Sequence, residues 1–201
     1  MSELGLFPLG LVLLPTEHVP LHIFEPRYRE LIGECLDEDV EFGLVHAADD
    51  DLEPIGTRAA IVSILERFDD GRLNIVVEGR ERFRIARLTE GRSFRTAIVE
   101  PFLDEVPTGS AKKAEEALAL FARLLKLAGV EAESPDPADP QLSFVLAGRF
   151  ELSAELKLEL LGSTSEATRL ERVCQILEAA AVTIERQQEL AALAQTNGKG
   201  H

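Results

Sequence analysis

Ser110 and Lys113 stand at Ser-x-x-Lys spacing, the arrangement in which a lysine amine takes the proton of a serine nucleophile. The same residues open an apolar helical stripe, where a serine serves as N-cap and a nearby lysine is a solvated first-turn side chain. No companion motif of serine–lysine enzymes accompanies them, so the cap is the better reading. The histidines are His18, His22, His46 and His201, and none shares a motif with a serine or cysteine and a supporting acid. Asp49-Asp50-Asp51 with Glu53 gathers carboxylates but lacks the alternating ligands and central glycine of a calcium loop, and reads as a solvated acidic turn. Cys35 and Cys174 lie on apolar helical faces without metal-ligand spacing, as small buried hydrophobes in a reducing compartment. These residues assign no catalytic, metal or cofactor site.

Binding chemistry is better represented. Arg80, Arg82 and Arg84 recur at a period of two, which places them on one face of a regular strand, opposite Glu81, Phe83 and Ile85. Two uses stand for such a row: gripping carboxylates or carbonyls of a bound peptide, or pairing across the sheet with the protein's own acids, an ordinary sheet stabiliser. His22 and Phe24 face away from Leu21 and Ile23, and Phe24 is either an exposed anchor or covered by the helical region. Exposed apolar side chains beside a sheet edge suit capture of an extended peptide. Glu25, Arg27 and Tyr28 read as structural. The Glu25 carboxylate suits the orphan N–H groups of the following helix, Tyr28 starts its buried stripe, and Arg27 is expected to pair with a barrel carboxylate.

The elements that must position these residues follow from pattern. Val19, Leu21 and Ile23 alternate as in a half-buried strand, and Pro26 fits a first helical position. Tyr28, Leu31, Ile32, Cys35 and Leu36 then recur at helical spacing. The prolines among the early strands argue for an edge or rim. Short strands are expected over 41–46 and 93–102, and two longer β-rich runs over 59–68 and 72–88, joined by Asp69-Asp70-Gly71 as a hairpin. The chain divides near Pro107-Thr108-Gly109, after which it reads as helix. One stripe holds Ala114, Ala117, Leu118, Phe121, Leu125 and Ala128, a proline-rich linker covers 133–140, and Leu142, Val145 and Leu146 form a short helix. Ser153 caps a further helix ended by Gly162, and Ser163 with Glu166 has capping-box spacing before a long final helix.

The stretch Pro20-Leu21-His22-Ile23-Phe24-Glu25-Pro26-Arg27-Tyr28, preceded by a proline-punctuated apolar run, resembles the N-terminal, substrate-binding (LON) domain of the ATP-dependent Lon proteases. The likeness continues in Ile55-Gly56-Thr57-Arg58-Ala59-Ala60-Ile61 and in 70–85, in the family's order over about the first half of the chain. The resemblance implies a twisted, partly closed β-barrel related to the PUA fold, a following helical domain, and recognition of polypeptide substrates without chemistry. Thr16-Glu17 departs from it: family members commonly place a glycine there, which leaves the local turn type open. Full-length Lon also carries an ATPase with a Gly-x-x-x-x-Gly-Lys-Ser/Thr loop and a serine–lysine peptidase. No such loop occurs in these 201 residues, which removes ATP hydrolysis as an expectation.

The expected fold class is therefore α+β, with a PUA-like barrel over 1–106, a C-terminal helical bundle over 107–195 and a disordered tail over 196–201. A net charge of −15 repels phosphate backbones and anionic lipid heads, so neither nucleic acid nor membrane is an expected partner. The uncharged run 4–15 has no basic flank and is broken by glycine and proline, unlike a signal core, and a cytoplasmic location is expected. The expected function is non-catalytic binding of unfolded or client polypeptides, with a protease as a further candidate partner, through His22, Phe24, Arg80, Arg82 and Arg84. A small hydrolase with an unrecognised site and an RNA-binding PUA-like protein are the alternatives, the latter resting on fold analogy alone.

Overall fold

The computed structural model describes residues 1–48, 51–106 and 110–197. Its elements are β1 (Ser2–Leu9), β2 (His18–Ile23), α1 (Pro26–Glu38), β3 (Phe42–Ala48), β4 (Asp51–Leu52), β5 (Ile55–Arg67), β6 (Leu73–Thr89), β7 (Thr96–Pro101), α2 (Ala111–Ala128), α3 (Leu142–Ala147), α4 (Ala154–Gly162) and α5 (Glu166–Asn197). The fold is α+β. β1 pairs antiparallel with β7 and parallel with β3, so the path β1-β7-β6-β5-β3 returns to its start and closes a ring of strands. β2 lies outside the ring on β6, and β4 on β3.

Alternation assigns the two faces. Leu4 and Leu6 of β1 and Val45 of β3 join Phe83, Ala97 and Val99 in one core. Phe7 and Leu44, one residue out of phase, join the larger core in which Tyr28, Leu31, Ile32 and Cys35 of α1 meet Ile23, Ile75 and Val77. Gly79 is required by proximity, since a Cβ there would lie 2.0 Å from the Leu14 carbonyl oxygen where the 10–17 loop crosses β6. That loop is clipped by Thr16 N–H to Gly79 O (2.7 Å), Gly79 N–H to Glu17 O (2.9 Å) and the Thr57 hydroxyl to Leu13 O (2.6 Å).

The chain forms two compact units, Met1–Glu105 with Ala147–Thr164, and Val106–Leu146 with Ser165–His201. The segment 147–164, expected in the helical bundle, thus belongs with the barrel. Two polar anchors hold it there. Lys157 donates to the Glu17 carboxylate, which also accepts from Leu14 N–H (2.9 Å). Arg82 donates to Leu161 O in the last turn of α4 and to Ser163 O just beyond it, both at 2.6 Å.

In the other unit, α2, α3 and α5 bury Phe121, Phe144, Leu170 and Leu177. A buried ionic cluster fixes α3. Glu166 Oε1 accepts from Ser143 N–H (2.8 Å), and Glu166 Oε2 from the Ser143 hydroxyl (2.6 Å) and Arg169 Nη2 (2.7 Å). Burial nonetheless pushes the Glu166 carboxyl above its ordinary range. The expected Ser163–Glu166 capping box is replaced by Ser165, whose hydroxyl accepts from Thr168 N–H at 3.3 Å, because Glu166 is engaged by Ser143. Ser153 caps α4 as expected, accepting from Leu156 N–H at 3.4 Å. The division at Pro107-Thr108-Gly109 and the last tail residues, 198–201, lie outside the described residues, whereas 196–197 fall in α5. No helix among the described residues is long and apolar enough to cross a membrane.

Candidate functional site

β6 is long enough to pair with β7 at its C-terminal end and, at its N-terminal end, with β5 and β2 together. The result is a three-stranded arm, β2-β6-β5, in which His22, Asn74 and Glu66 stand side by side across the strands. A carbonyl oxygen only accepts, so His22 Nδ1 donates to Asn74 Oδ1 (2.6 Å), while Asn74 Nδ2 donates to Glu66 Oε2 (3.1 Å). This chain fixes the imidazole, and aromatic rings gather on it. Phe24 stacks on His22 at 5.8 Å and 20°, and Phe68 meets it edge-on at 6.1 Å and 85°. The Arg72 guanidinium lies 4.8 Å over the Phe68 ring while bound to Asp70 at 2.7 Å.

Phe24 is 58% exposed, an uncommon state for so large an apolar ring, and the same arm exposes Val62, Ile64 and Leu65. Val62 and Leu65 sit at the two register irregularities of the arm, between Ile61 and Ser63 and between Ile64 and Glu66. A bulge both presents such a side chain and disrupts the strand's outer hydrogen-bonding row. β2 carries Pro20 in its middle, which removes a donor from its own ladder positions. The arm therefore offers side chains rather than a clean backbone edge.

The arginines do not form the expected row. Thr57 pairs with Arg82 and Ala59 with Gly79, so Arg80 and Glu81 together face a single β5 residue, Arg58. This bulge shifts the two-residue phase by one, carrying Phe83 and Ile85 into the core opposite that of Ile75 and Val77. Arg80 is left exposed, 2.8 Å from Glu78. Arg82 is buried at 6% exposure and spent on Asp104, Leu161 O and Ser163 O, so it is withdrawn from any surface role. Arg82 and Arg84 do share a side, flanking the Phe102 ring at 4.9 and 5.0 Å. His22 and Phe24 are thus brought together, and the arginines are not brought to them.

The chemical candidates fare differently. Ser110 precedes α2 in helical conformation without a side-chain cap bond, and Lys113 pairs with Glu116 at 3.1 Å. That carboxylate holds the lysine above its ordinary value, the opposite of what a base for serine requires. His46 stands near Glu155, and His18 pairs in register with Glu78. Asp51 forms β4, and Glu53 N–H donates to His46 O at 3.0 Å, while Asp49, Asp50 and His201 lie outside the described residues. Among the described residues no group of histidine, cysteine and carboxylates has metal-site geometry. Glu25 and Arg27 pair with each other at 2.8 Å, in place of the expected helix cap and barrel partner. Both cysteines are buried, and burial pushes the Cys35 thiol up to about 11.

Residues 3–179 match the family described as the ATP-dependent protease La (LON) substrate-binding domain. The chain belongs to that family. It is 30% identical over 191 residues to Lon protease of Paraburkholderia phytofirmans, covering 87% of this chain and 23% of the relative. With Lon protease of Rhizobium meliloti it shares 28% over 186 residues, again 23% of the relative, so the chain spans about a quarter of these proteases. A Lon N-terminal domain protein from Xanthomonas campestris superposes with a TM-score of 0.66 at 27% identity, over 86% of this chain and 97% of that one. The N-terminal domain of a Mycobacterium avium complex Lon protease gives 0.68 at 19% identity, over 90% and 98%, a likeness of fold.

Beside His22 and Phe24 the arm also presents Val62, Ile64 and Leu65 and gathers Phe68 and Arg72, none of which the sequence pattern singled out. A signal for them was present. The doubled apolar pairs Ile61-Val62 and Ile64-Leu65 break strict alternation, which a bulged strand with side chains on both faces produces.

Proposed function

We propose that this LON-family protein holds segments of unfolded polypeptide non-covalently on the β2-β6-β5 arm, without making or breaking bonds. The exposed Phe24 stacked on a hydrogen-bonded His22, on an arm that also exposes Val62, Ile64 and Leu65, carries this reading. Exposed aromatic and aliphatic side chains on a rigid sheet gain burial from any apolar segment laid against them, with little ordering cost on the protein's side. Bulges and Pro20 interrupt the edges, so the grip comes from side chains and tolerates varied client sequences. The family's substrate-binding role supports the same reading.

Binding of a reduced, permanently unfolded protein and of peptide arrays, measured by fluorescence anisotropy, tests it. Phe24→Ser and Leu65→Ser remove exposed side chains and leave the fold intact. Each should weaken binding about tenfold, the effect of losing roughly 1.5 kcal/mol of apolar burial. No binding by the unaltered protein, or unchanged binding by both variants, counts against it. Peptidase or esterase activity lost in Ser110→Ala would instead restore the serine–lysine reading.

A further inference from the structure

The helical unit keeps an apolar groove that the client face does not explain. α2 and α5 lie side by side and run parallel, since Arg123 reaches Glu178 (3.1 Å) and Glu185 (2.8 Å) and Gln188 Nε2 donates to Leu127 O (2.8 Å) further along both. Their buried residues, among them Ala117, Phe121, Val173 and Leu177, are consumed in that unit's core. Beside this seam runs a groove of about 830 Å³ walled by Ala119 and Leu120 on α2 and by Gln175, Ala179 and Val182 on α5. The two alanines leave room for close approach of another backbone. Beyond the groove the α5 wall continues. At about 100° per residue Val182, Leu190 and Leu193 fall on one side of the helix, they are 52%, 59% and 61% exposed, and α2 has already ended at Ala128. Arg186 and Glu189 stand on the same side between Val182 and Leu190, so the strip from 175 to 193, about 27 Å long, is apolar at its two ends and charged between them.

The rim is acidic. Glu116, Glu171 and Glu178 outnumber Lys113 and Arg123. Lys113 is taken up by Glu116, and Glu178 and Glu185 share the one guanidinium of Arg123, so negative charge remains in excess. The geometry points to this groove as the docking site for an amphipathic helix of a partner polypeptide, apolar on one face and flanked by lysine or arginine. A second copy would bring the same excess of carboxylates and a further −15 of net charge, whereas a basic helix complements both. The site is separate from the β2-β6-β5 arm and takes a helix where the arm takes extended chain.

The probe is a synthetic amphipathic peptide of about 18 residues, leucine and alanine on one face and lysine on its flanks, long enough to fill the strip. It is titrated into the full chain at low and high salt, with anisotropy and far-UV circular dichroism as readouts. The expected result is saturable binding that turns the peptide helical and weakens with salt. Ala179→Arg, at an exposed helical position, should weaken binding at least about tenfold, and Val182→Lys is the second variant should the first fold poorly. Glu171→Gln should weaken it about threefold and flatten the salt dependence, while Phe24→Ser should leave it unchanged. The proposal is overturned by absent binding, or by equal binding in Ala179→Arg and Val182→Lys. Loss in Phe24→Ser overturns it too, placing the peptide on the arm, as does a dimer in sedimentation that Ala179→Arg dissolves, placing a second copy in the groove.

Discussion

Two single residues carry separable energetic signatures. Thr16 adopts φ 67°, the left-handed region that a β-branched residue enters only under strain. The loop tolerates this because Thr16 N–H is bonded to Gly79 O and the neighbouring Glu17 to Lys157. Thr16→Gly should relieve the strain and raise stability by about 1 kcal/mol, read from the urea midpoint, with no change in client binding. Cys35 offers a pH signature. Its buried thiol keeps its proton up to about 11, whereas the unfolded thiol ionises nearer the ordinary value, so the unfolded chain loses its proton first. Stability therefore falls as pH rises between those values, by about 2 kcal/mol at pH 11. Cys35→Ala should abolish that part of the pH dependence in denaturation curves, at the cost of lower stability throughout.

At the scale of elements, α4 shows how a helix late in the sequence is recruited to the barrel. Arg82, 4% exposed at its side chain, bonds Leu161 O, Ser163 O and Asp104 together. Glu105 N–H and Thr164 O (2.9 Å), with the Thr164 hydroxyl on Glu105 Oε1 (2.8 Å), continue the fastening. Arg82→Ala removes a buried guanidinium and its bonds to Asp104, Leu161 O and Ser163 O and should cost about 3 kcal/mol, whereas Arg80→Ala at its exposed ion pair should cost less than about 1 kcal/mol. Thermal denaturation distinguishes them. Periodicity made most elements legible, including the strand of Leu21 and Ile23, the Pro26 helix start, the hairpin around Gly71 and the Ser153 cap. It failed where one inserted residue or one distant partner decides. The bulge at Arg80 and Glu81 shifts the side chains from Arg82 to Ile85 to the other face, and a two-residue period cannot register it. Glu166 has box spacing from Ser163 but finds Ser143, 23 residues away. An apolar stripe likewise marks α4 as helical without naming the unit it packs on. Of the candidate site, His22 and Phe24 were visible as outward-facing residues, while Phe68 and Arg72 depend on how the hairpin closes.

For the molecule as a whole, charge governs encounter more than grip. A net charge of −15 would draw a basic client of the proposed kind toward the surface before any apolar contact forms. The association rate of a basic client should fall about tenfold between roughly 0.01 M and 0.15 M salt as the screening length shortens from ~30 to ~8 Å, with little change for a neutral client. Stopped-flow mixing reads this directly. The ladder on β5 is interrupted, with Val62 and Leu65 at its irregularities. A docked strand zipped along an unbroken rim would gain one more main-chain bond with every residue and become a seed for fibrils. On the proposed reading a guest would find only scattered hydrophobic footholds here, and the irregular ladder would not template the continuous pairing from which fibres grow.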